Sequence, residues 1–186
     1  MRLIRTELSG VVLIEPAVFA DGRGSFFESF RADKLREAGL PGLFVQDNHS
    51  CSYPGTIRGL HYQLRHPQGK LVRIIRGAVR DVAVDIRRGS PTFGRWIAVE
   101  LSAANRRQLY IPPGFAHGFS VPEVESEMEY KCTDYYAPDD QCGVRWDDPT
   151  LAIDWGVALP VLSEKDRVYE RLAPNRADLP CYEPEG

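Results

Sequence analysis

Patterns that define several common classes of protein are missing from this chain of 186 residues. Its four cysteines form no CxxC pair and its four histidines do not have zinc-finger spacing, which argues against a zinc module and favours free thiols that are buried or half-buried. The longest early apolar run, residues 11–14, is far too short for a signal sequence or a membrane span. We therefore expect a cytoplasmic protein with no membrane partner.

An excess of charge of one sign is also missing. The formal net charge is −3 and the arginines are scattered, so a nucleic-acid partner is not expected. Neither a GxGxxG loop nor a Walker-type loop is present, which argues against a Rossmann or P-loop nucleotide site. Any site for an anion must therefore be local.

The sequence does contain many short apolar or alternating runs, separated by turns that use its 16 glycines and 14 prolines. These runs predict one mainly β domain over residues 1–186, a sandwich or barrel with a few short helices. One helix is predicted over residues 32–38, and others are predicted to start at 147–149 and 163–164. The predicted strands are residues 11–14, 25–30, 44–48, 60–63, 70–76, 79–86, 96–101, 108–111, 118–121, 126–135 and 143–146.

The side chain of Tyr130 is predicted to point into the sandwich or barrel. Side chains alternate along a strand, so Tyr130 shares one face with Met128 and Cys132. The opposite face of this strand carries two glutamates and a lysine, which must be solvated.

His61 is the histidine with the most suggestive neighbours, although alone it is explained equally well as a structural residue. Arg58 precedes it by three residues, and Lys70 follows it by nine, after a turn. If residues 60–63 and 70–73 pair as a hairpin, His61 and Lys70 face one cavity. A neutral imidazole beside a fixed ammonium suits proton abstraction next to a carbonyl, because the cation stabilises the enolate oxygen.

His117 follows a Pro-Pro-Gly turn in a PxGxxH pattern that resembles the second half of a cupin signature. Cupins are jelly-roll proteins, and many bind a metal through this histidine together with an HxH pair and a glutamate. The matching segment here reads His61-Tyr62-Gln63, so the second histidine is missing. Because a metal needs three or four well-placed ligands, no metal is expected.

Two further features have both a structural and a functional interpretation. Arg23, in a turn, is either a solvated charge or joins Arg58 and Lys70 in binding a diphosphate. Residues 162–166 are typical of a helix N-cap with acidic residues in the first turn. In the functional interpretation, Asp166 orients the base and stabilises its imidazolium.

Taken in order, the motifs of the chain resemble those of the dTDP-4-dehydrorhamnose 3,5-epimerases. The resemblance implies a cupin-type jelly roll, a homodimer and no cofactor. It also implies conversion of dTDP-4-keto-6-deoxy-D-glucose to dTDP-4-keto-L-rhamnose by inversion at C3 and C5. The segments that carry it are a turn at residues 21–24, FVQDNHS at 44–50, RGLHYQ at 58–63, QGKLVR at 68–73, DVAVD at 81–85, RGSPTFG at 88–94, and residues 111–119, 130–136 and 162–166.

The same resemblance implies roles for single residues. His61 matches the general base and Asp166 its carboxylate partner. Tyr130 matches the acid that reprotonates the opposite ring face, and Lys70 the residue near the C4 carbonyl oxygen. The residues that match sugar-nucleotide contacts are Arg23, Glu28, Gln46, Asn48, Arg58, His117, Tyr136 and Lys165. Family dimers exchange N-terminal strands, so the first two of these are expected to serve the neighbouring subunit's site. Gln141 stands where the family often has a glutamate, which puts one ligand contact in doubt.

Three other functions fit parts of the pattern. A mono-epimerase of a dTDP-deoxysugar pathway shares the fold, His61 and Tyr130, because the number of inverted carbons depends on the pose of the ring. A metal-dependent cupin oxygenase or isomerase is disfavoured by the missing HxH pair. A non-catalytic sugar-binding cupin has no evident need for an inward tyrosine facing a histidine–aspartate pair.

Overall fold

Two antiparallel sheets pack face to face in this structure, a computed structural model that describes residues 1–184. The strands in this range are β1 (Arg2–Arg5), β2 (Val12–Glu15), β3 (Val18–Asp21), β4 (Gly24–Phe27), β5 (Gln46–Ser52), β6 (Ile57–Gln63), β7 (Lys70–Arg76), β8 (Ala78–Asp85), β9 (Trp96–Ser102), β10 (Gln108–Ile111), β11 (Phe115–Ser120), β12 (Ser126–Cys132) and β13 (Gln141–Gly143). The helices are α1 (Ala32–Glu37) and α2 (Glu164–Val168), with a 3-10 turn at Pro138–Asp140.

The strands are divided between a six-stranded and a five-stranded sheet. The six-stranded sheet has the order β1-β2-β10-β7-β12-β5, and the five-stranded sheet the order β13-β6-β11-β8-β9. β3 and β4 form a separate hairpin. The prediction of a mainly β sandwich is therefore confirmed.

Apolar side chains from both sheets meet between them. Val72 on β7 and Leu109 on β10 are fully buried in the same cluster as Ala83 on β8. The next residue along β8, Val84, points the other way and packs with Trp155 from the C-terminal third of the chain. The five-stranded sheet is thus covered on both faces, and burial of its outer face holds the irregular C-terminal third in place.

The hairpin considered as one way of bringing His61 and Lys70 together does not form, because β6 and β7 lie in different sheets. β6 pairs with β11 and β13, whereas β7 pairs with β10 and β12. The connecting segment is held instead by Asp140, which accepts hydrogen bonds from the backbone amides of Arg65 and His66. Gln63 donates a further bond to the His66 carbonyl at 2.7 Å. The bonds to Asp140 are long-range, and they direct the chain across the sandwich.

The helix predicted to start at residues 147–149 is also wrong, because these residues form a turn. Asp148 is buried, and its carboxylate accepts hydrogen bonds from the amide and the hydroxyl of Thr150. It also accepts one from the amide of Leu172. These bonds stabilise a local turn and a distant contact in place of a helical turn.

Other local predictions are confirmed. α1 agrees with the predicted helix to within a residue, and the Ser163 hydroxyl caps α2 by accepting a hydrogen bond from the Asp166 amide. On β12, Met128 and Cys132 are buried, and Tyr130 packs against the same core cluster as Met128. β1 and β3 have no predicted counterpart, since β1 has arginine at both ends and β3 is exposed along its length.

The prediction of buried or half-buried free thiols is confirmed for Cys132 and Cys142 but is wrong for Cys51 and Cys181, which are exposed. The four cysteines, two of them exposed, take part in no disulfide. Within the described range, no helix has the length and apolar character needed to cross a bilayer.

The strands that carry His61 and His117 approach closely at a pair of glycines. A Cβ atom at Gly59 would lie 2.5 Å from the Cα atom of Gly118, and Gly59 has a φ of +131°, which L side chains rarely adopt. The register of β11 against β6 shifts between His117 and Phe119 at this point. The two glycines therefore set the spacing at which His61 and His117 become cross-strand neighbours.

We expect Gly59→Ala to lower the free energy of unfolding by about 1–3 kcal/mol or more, because the added Cβ is strained in φ and meets backbone. Gly22→Ala is the matched control, since a Cβ there has no atom within 4 Å, and we expect a change within about 0.5 kcal/mol. Urea denaturation monitored by circular dichroism measures both. Equal midpoints for the two variants would contradict the proposed constraint.

Candidate active site

A cavity of about 570 Å³ opens between the two sheets. β5, β7 and β12 line one side, β6 and β11 line the other, and α2 with the segment before it completes the wall. Ten of the twelve residues predicted for the site lie in this lining. They are Gln46, Asn48, Arg58, His61, Lys70, His117, Tyr130, Tyr136, Lys165 and Asp166.

The other two predicted residues, Arg23 and Glu28, lie outside this cavity. Arg23 is on the β3–β4 hairpin, where its guanidinium is 91% exposed and binds Asp21. Glu28 forms ion pairs with Lys34 and Arg31 near α1. Neither residue reaches the cavity formed by its own chain.

His61 on β6 is paired with Asp166 on α2. The Nε2 atom of His61 lies 2.5 Å from a carboxylate oxygen of Asp166, whose side chain is only 3% exposed. Burial raises the pKa of Asp166, but hydrogen bonds with His61 and Ser163 more than offset it, so the pKa lies below its usual value. Because an ionised carboxylate only accepts hydrogen bonds, Nε2 carries the hydrogen and Nδ1 keeps a free lone pair.

The surroundings of His61 keep its imidazole neutral and oriented. Burial lowers the pKa of His61, and the bond to Asp166 opposes this shift only in part. The ring of Tyr169 packs against the imidazole edge to face, with the ring centroids 5.8 Å apart. Tyr169 in turn lies against Gly143, where a Cβ atom would come within 2.5 Å of its ring. The imidazole is therefore held by packing against Tyr169 and by a hydrogen bond at one nitrogen.

Tyr130 and Lys70 come from the sheet that faces His61. In the β12–β7 pairing Cys132 lies opposite Lys70, and Tyr130 lies two residues earlier on the same face of β12. Burial raises the pKa of Tyr130, so its phenol stays protonated at neutral pH. Burial lowers the pKa of Lys70, and among residues 1–184 its ammonium has no ion-pair partner. Burial disfavours the charged form of Lys70, so a negative charge bound in the cavity would stabilise its ammonium.

A second histidine–carboxylate pair adjoins the first. His117 lies opposite His61 in the β6–β11 pairing, and its Nε2 atom is 3.0 Å from both carboxylate oxygens of Asp81. Asp81 is fully buried. Within residues 1–184, no group of three or more His, Cys, Asp or Glu side chains is arranged to hold a metal ion.

Tyr136 stands at the mouth of the cavity with its side chain about half exposed. Its backbone amide donates a hydrogen bond to Gln46 at 2.8 Å, and Gln46 donates one to Asn48 at 2.9 Å. Gln63 holds the same loop by accepting a bond from the amide of Ala137. Position 63 is where a metal-binding cupin has its second histidine, and here its amide fastens the loop that presents Tyr136.

Cations outnumber carboxylates in the lining. Arg58, Lys70 and Lys165 carry positive charge, and the carboxylate of Asp166 is committed to His61. Arg58 is anchored to β5 through the Ser52 hydroxyl and a backbone carbonyl rather than through an acid. The cavity therefore has a net positive lining that suits an anionic ligand.

Three residues that shape the site have no role in the sequence-based prediction: Asp81, Gln63 and Tyr169. The two-residue period of a strand is a signal for Asp81, because it places that carboxylate on the same face as Ala83 and opposite Val82 and Val84. No comparable signal exists for Tyr169, whose contact with His61 joins distant parts of the chain. The role of Gln63 follows only from the path of the loop that it holds.

This arrangement can move protons on two sides of a bound molecule. A neutral imidazole can accept a proton, and a protonated phenol on the facing sheet can return one. An ammonium without a partner can stabilise the enolate formed between the two steps.

Known proteins with the same fold and sequence pattern are numerous. The family model described as dTDP-4-dehydrorhamnose 3,5-epimerase matches residues 5–174. An enzyme of that name from Pseudomonas aeruginosa is 55% identical over 184 residues, covering 98% of this chain and 99% of the relative. A dTDP-4-dehydrorhamnose 3-epimerase from Streptomyces niveus is 41% identical over 186 residues, covering 98% and 90%.

A solved structure of a related enzyme has the same fold as this chain. The dTDP-6-deoxy-D-glucose-3,5-epimerase of Legionella pneumophila, in complex with dTDP-4-keto-L-rhamnose, superposes with a TM-score of 0.95. It is 48% identical, and the alignment covers 98% of this chain and 99% of that one.

The sandwich, with its polar cavity between the sheets, is that of the cupin-type sugar-nucleotide epimerases. Both the predicted jelly roll and the predicted family are thereby confirmed. The chain belongs to the dTDP-4-dehydrorhamnose 3,5-epimerase family and is an isomerase.

We expect Asp166→Asn to lower the pKa of His61 further. The carboxylate supports the charged imidazolium through a hydrogen bond and its negative charge, so its loss leaves burial less opposed. Nitrogen-15 NMR titration of the imidazole measures this pKa together with the tautomer. A His61 pKa that is unchanged or higher in the variant would contradict the pairing.

Proposed function

We propose that this protein converts dTDP-4-keto-6-deoxy-D-glucose to dTDP-4-keto-L-rhamnose by inverting C3 and C5. One observation carries the proposal. His61 on the five-stranded sheet is paired with Asp166 of α2, and it shares a cavity with Tyr130 and Lys70 from the six-stranded sheet. The 4-keto group acidifies the protons on both neighbouring carbons, so one set of groups suffices for both inversions if the ring reorients between them.

His61 is the base in this mechanism. Its Nδ1 lone pair accepts the proton from C3 or C5, and Asp166 stabilises the imidazolium that results. The lowered pKa of His61 keeps the imidazole neutral before the reaction, which a base requires. The electron pair left on carbon moves to the C4 oxygen as an enolate.

Lys70 and Tyr130 complete the inversion. The Lys70 ammonium, which has no ion-pair partner among the described residues, stabilises the enolate oxygen. The Tyr130 phenol then donates a proton to the opposite ring face. Its raised pKa keeps that proton in place until the enolate forms. Because base and acid act from opposite sides, the carbon is returned with inverted configuration.

The remaining predicted contacts suit a nucleoside diphosphate. Arg58 and Lys165 supply positive charge to the diphosphate. Tyr136, fixed through its amide by Gln46, offers an exposed ring face on which a base can stack. Asn48 and His117 line the inner part of the cavity and are proposed to bind the sugar hydroxyls.

A mono-epimerase remains the second candidate, because the relative from Streptomyces niveus bears the name of a 3-epimerase. Single inversion uses the same base and acid, and differs only in whether the ring is presented in a second pose.

We also propose that the protein acts in the cytoplasm as a homodimer whose subunits exchange their N-terminal strands. The β3–β4 hairpin exposes Phe19 and Phe26, at 66% and 70%, and carries Arg23 away from its own cavity. Large exposed aromatic side chains favour an interface. Arg23 and Glu28 are then contacts for the substrate of the second subunit.

Turnover in D₂O tests the number of inverted carbons. We expect deuterium at both C3 and C5 of the product, detected by proton NMR and mass spectrometry. Label at a single carbon would favour the mono-epimerase, and absence of label would reject enolate chemistry altogether.

Two variants assign the roles in the same assay. We expect His61→Ala to reduce turnover and exchange by roughly 10²–10⁴-fold with the fold intact by circular dichroism. Tyr130→Phe should lose inverted product while keeping exchange in substrate, since His61 can remove and return a proton on one face. Full activity in a folded His61→Ala protein would defeat the mechanism.

Mixing two impaired variants tests the exchanged dimer. In a heterodimer of His61→Ala and Arg23→Ala, one cavity has both defects and the other has neither. We expect the mixture, after refolding together, to recover activity that neither variant shows alone at low substrate concentration. The control is a mixture of His61→Ala with Asp166→Asn, which must not recover if these two act within one chain's cavity, because each cavity then keeps one defect. If Arg23 acts within its own cavity, the first mixture does not recover either. Arg23→Ala joined to His61→Ala in one chain and mixed with wild type is a second test, because its working cavity shows a raised KM only in the exchanged arrangement.

A further inference from the structure

Gln141 binds the side chains of two other residues at the mouth of the cavity. It begins β13, opposite Gln63 in the β13–β6 pairing, and its side chain lies in the cavity lining. Its amide oxygen accepts a hydrogen bond from the Tyr136 hydroxyl at 2.6 Å and one from the Lys165 ammonium at 2.9 Å. A carbonyl oxygen has two lone pairs, so its capacity as an acceptor is full.

These two bonds fix groups that otherwise have freedom to move. Tyr136 is held at its backbone by Gln46 and at its hydroxyl by Gln141, so both ends of the residue are tethered. Lys165 lies in the first turn of α2, and its long side chain is directed toward the cavity by its bond to Gln141. Holding a lysine in one geometry before a ligand arrives removes part of the entropy cost of binding.

The neutrality of Gln141 matters as much as its position. Among residues 1–184, the bond that Lys165 makes is to this uncharged amide, and no carboxylate lies within ion-pair distance of its ammonium. Asp166 is the next residue, but its carboxylate is used by His61. A carboxylate at position 141 would form an ion pair with Lys165 and would reduce the excess of positive charge in the lining.

We propose that Gln141 is a positioning residue that holds Lys165 and Tyr136 at the cavity mouth while leaving the lysine charge available to the diphosphate of the ligand. The inference rests on the proposed function for the identity of that ligand. It assigns Gln141 an electrostatic role in affinity and none in the proton transfers at His61 and Tyr130.

The test compares Gln141→Glu, which keeps size and acceptors but adds charge, with Gln141→Met, which removes the acceptors and adds no charge. Calorimetry with dTDP as the probe gives Kd without turnover, at low and high salt. For Gln141→Glu we expect Kd and KM to rise about tenfold at low salt with kcat within about twofold, and the effect to shrink at high salt. For Gln141→Met we expect a rise of about threefold that does not depend on salt.

The same two measurements in a Lys165→Met background show whether Gln141 acts through the lysine. We expect the charge effect of Gln141→Glu to fall to less than about twofold once the ammonium is gone. An equally large effect in that background, or wild-type affinity in Gln141→Glu at low salt, would overturn the inference. Wild-type protein that does not bind dTDP would overturn the proposed function and the inference with it. Wild-type protein that binds dTDP, with either of the two outcomes above, would overturn the inference alone.

Discussion

The hydrogen bond between His61 and Asp166 joins the sandwich to the segment that follows it, and the rest of the site depends on this contact. A carboxylate as deeply buried as Asp166 is tolerated only when hydrogen-bonded, and the imidazole meets that need. The pairing fixes the tautomer of His61 and brings α2 against β6. Lys165 reaches the mouth of the cavity because it is adjacent to Asp166 in α2.

The charges of the cavity follow from the same constraint. Asp81 and Asp166 both make their short contacts with histidines, so neither forms an ion pair with a lysine or arginine of the lining. Arg58 is held by a hydroxyl and a carbonyl, and Lys165 by the Gln141 amide. Positive charge that has no partner in the protein is attracted to an anionic ligand, while the neutral His61 beside it stays able to accept a proton.

Much of the fold and most of the candidate site could be predicted from the sequence. The two-residue period of a strand correctly predicted that Met128, Tyr130 and Cys132 of β12 point inward. The bounds of β7 and β10 are also those predicted. The positions of Arg23 and Glu28 relative to a cavity could not be predicted from pattern alone, because an exposed hairpin has no core to orient it. Whether β6 and β7 pair as a hairpin could not be predicted either, because the sequence of a turn is the same whether the chain folds back or crosses to another sheet.

The sequence by itself determined which residue types are available, which face of each strand they occupy, and the absence of an HxH pair at positions 61–63. These properties are local, since they depend on alternation and on side-chain chemistry. Only the tertiary structure decided that His61 and Lys70 stand on opposite sheets, that Gln63 fastens the loop of Tyr136, and that Gln141 holds Lys165. Those contacts join segments far apart in the chain. They form because a polar group that becomes buried when the two sheets pack must be hydrogen-bonded, and its partner then comes from another segment.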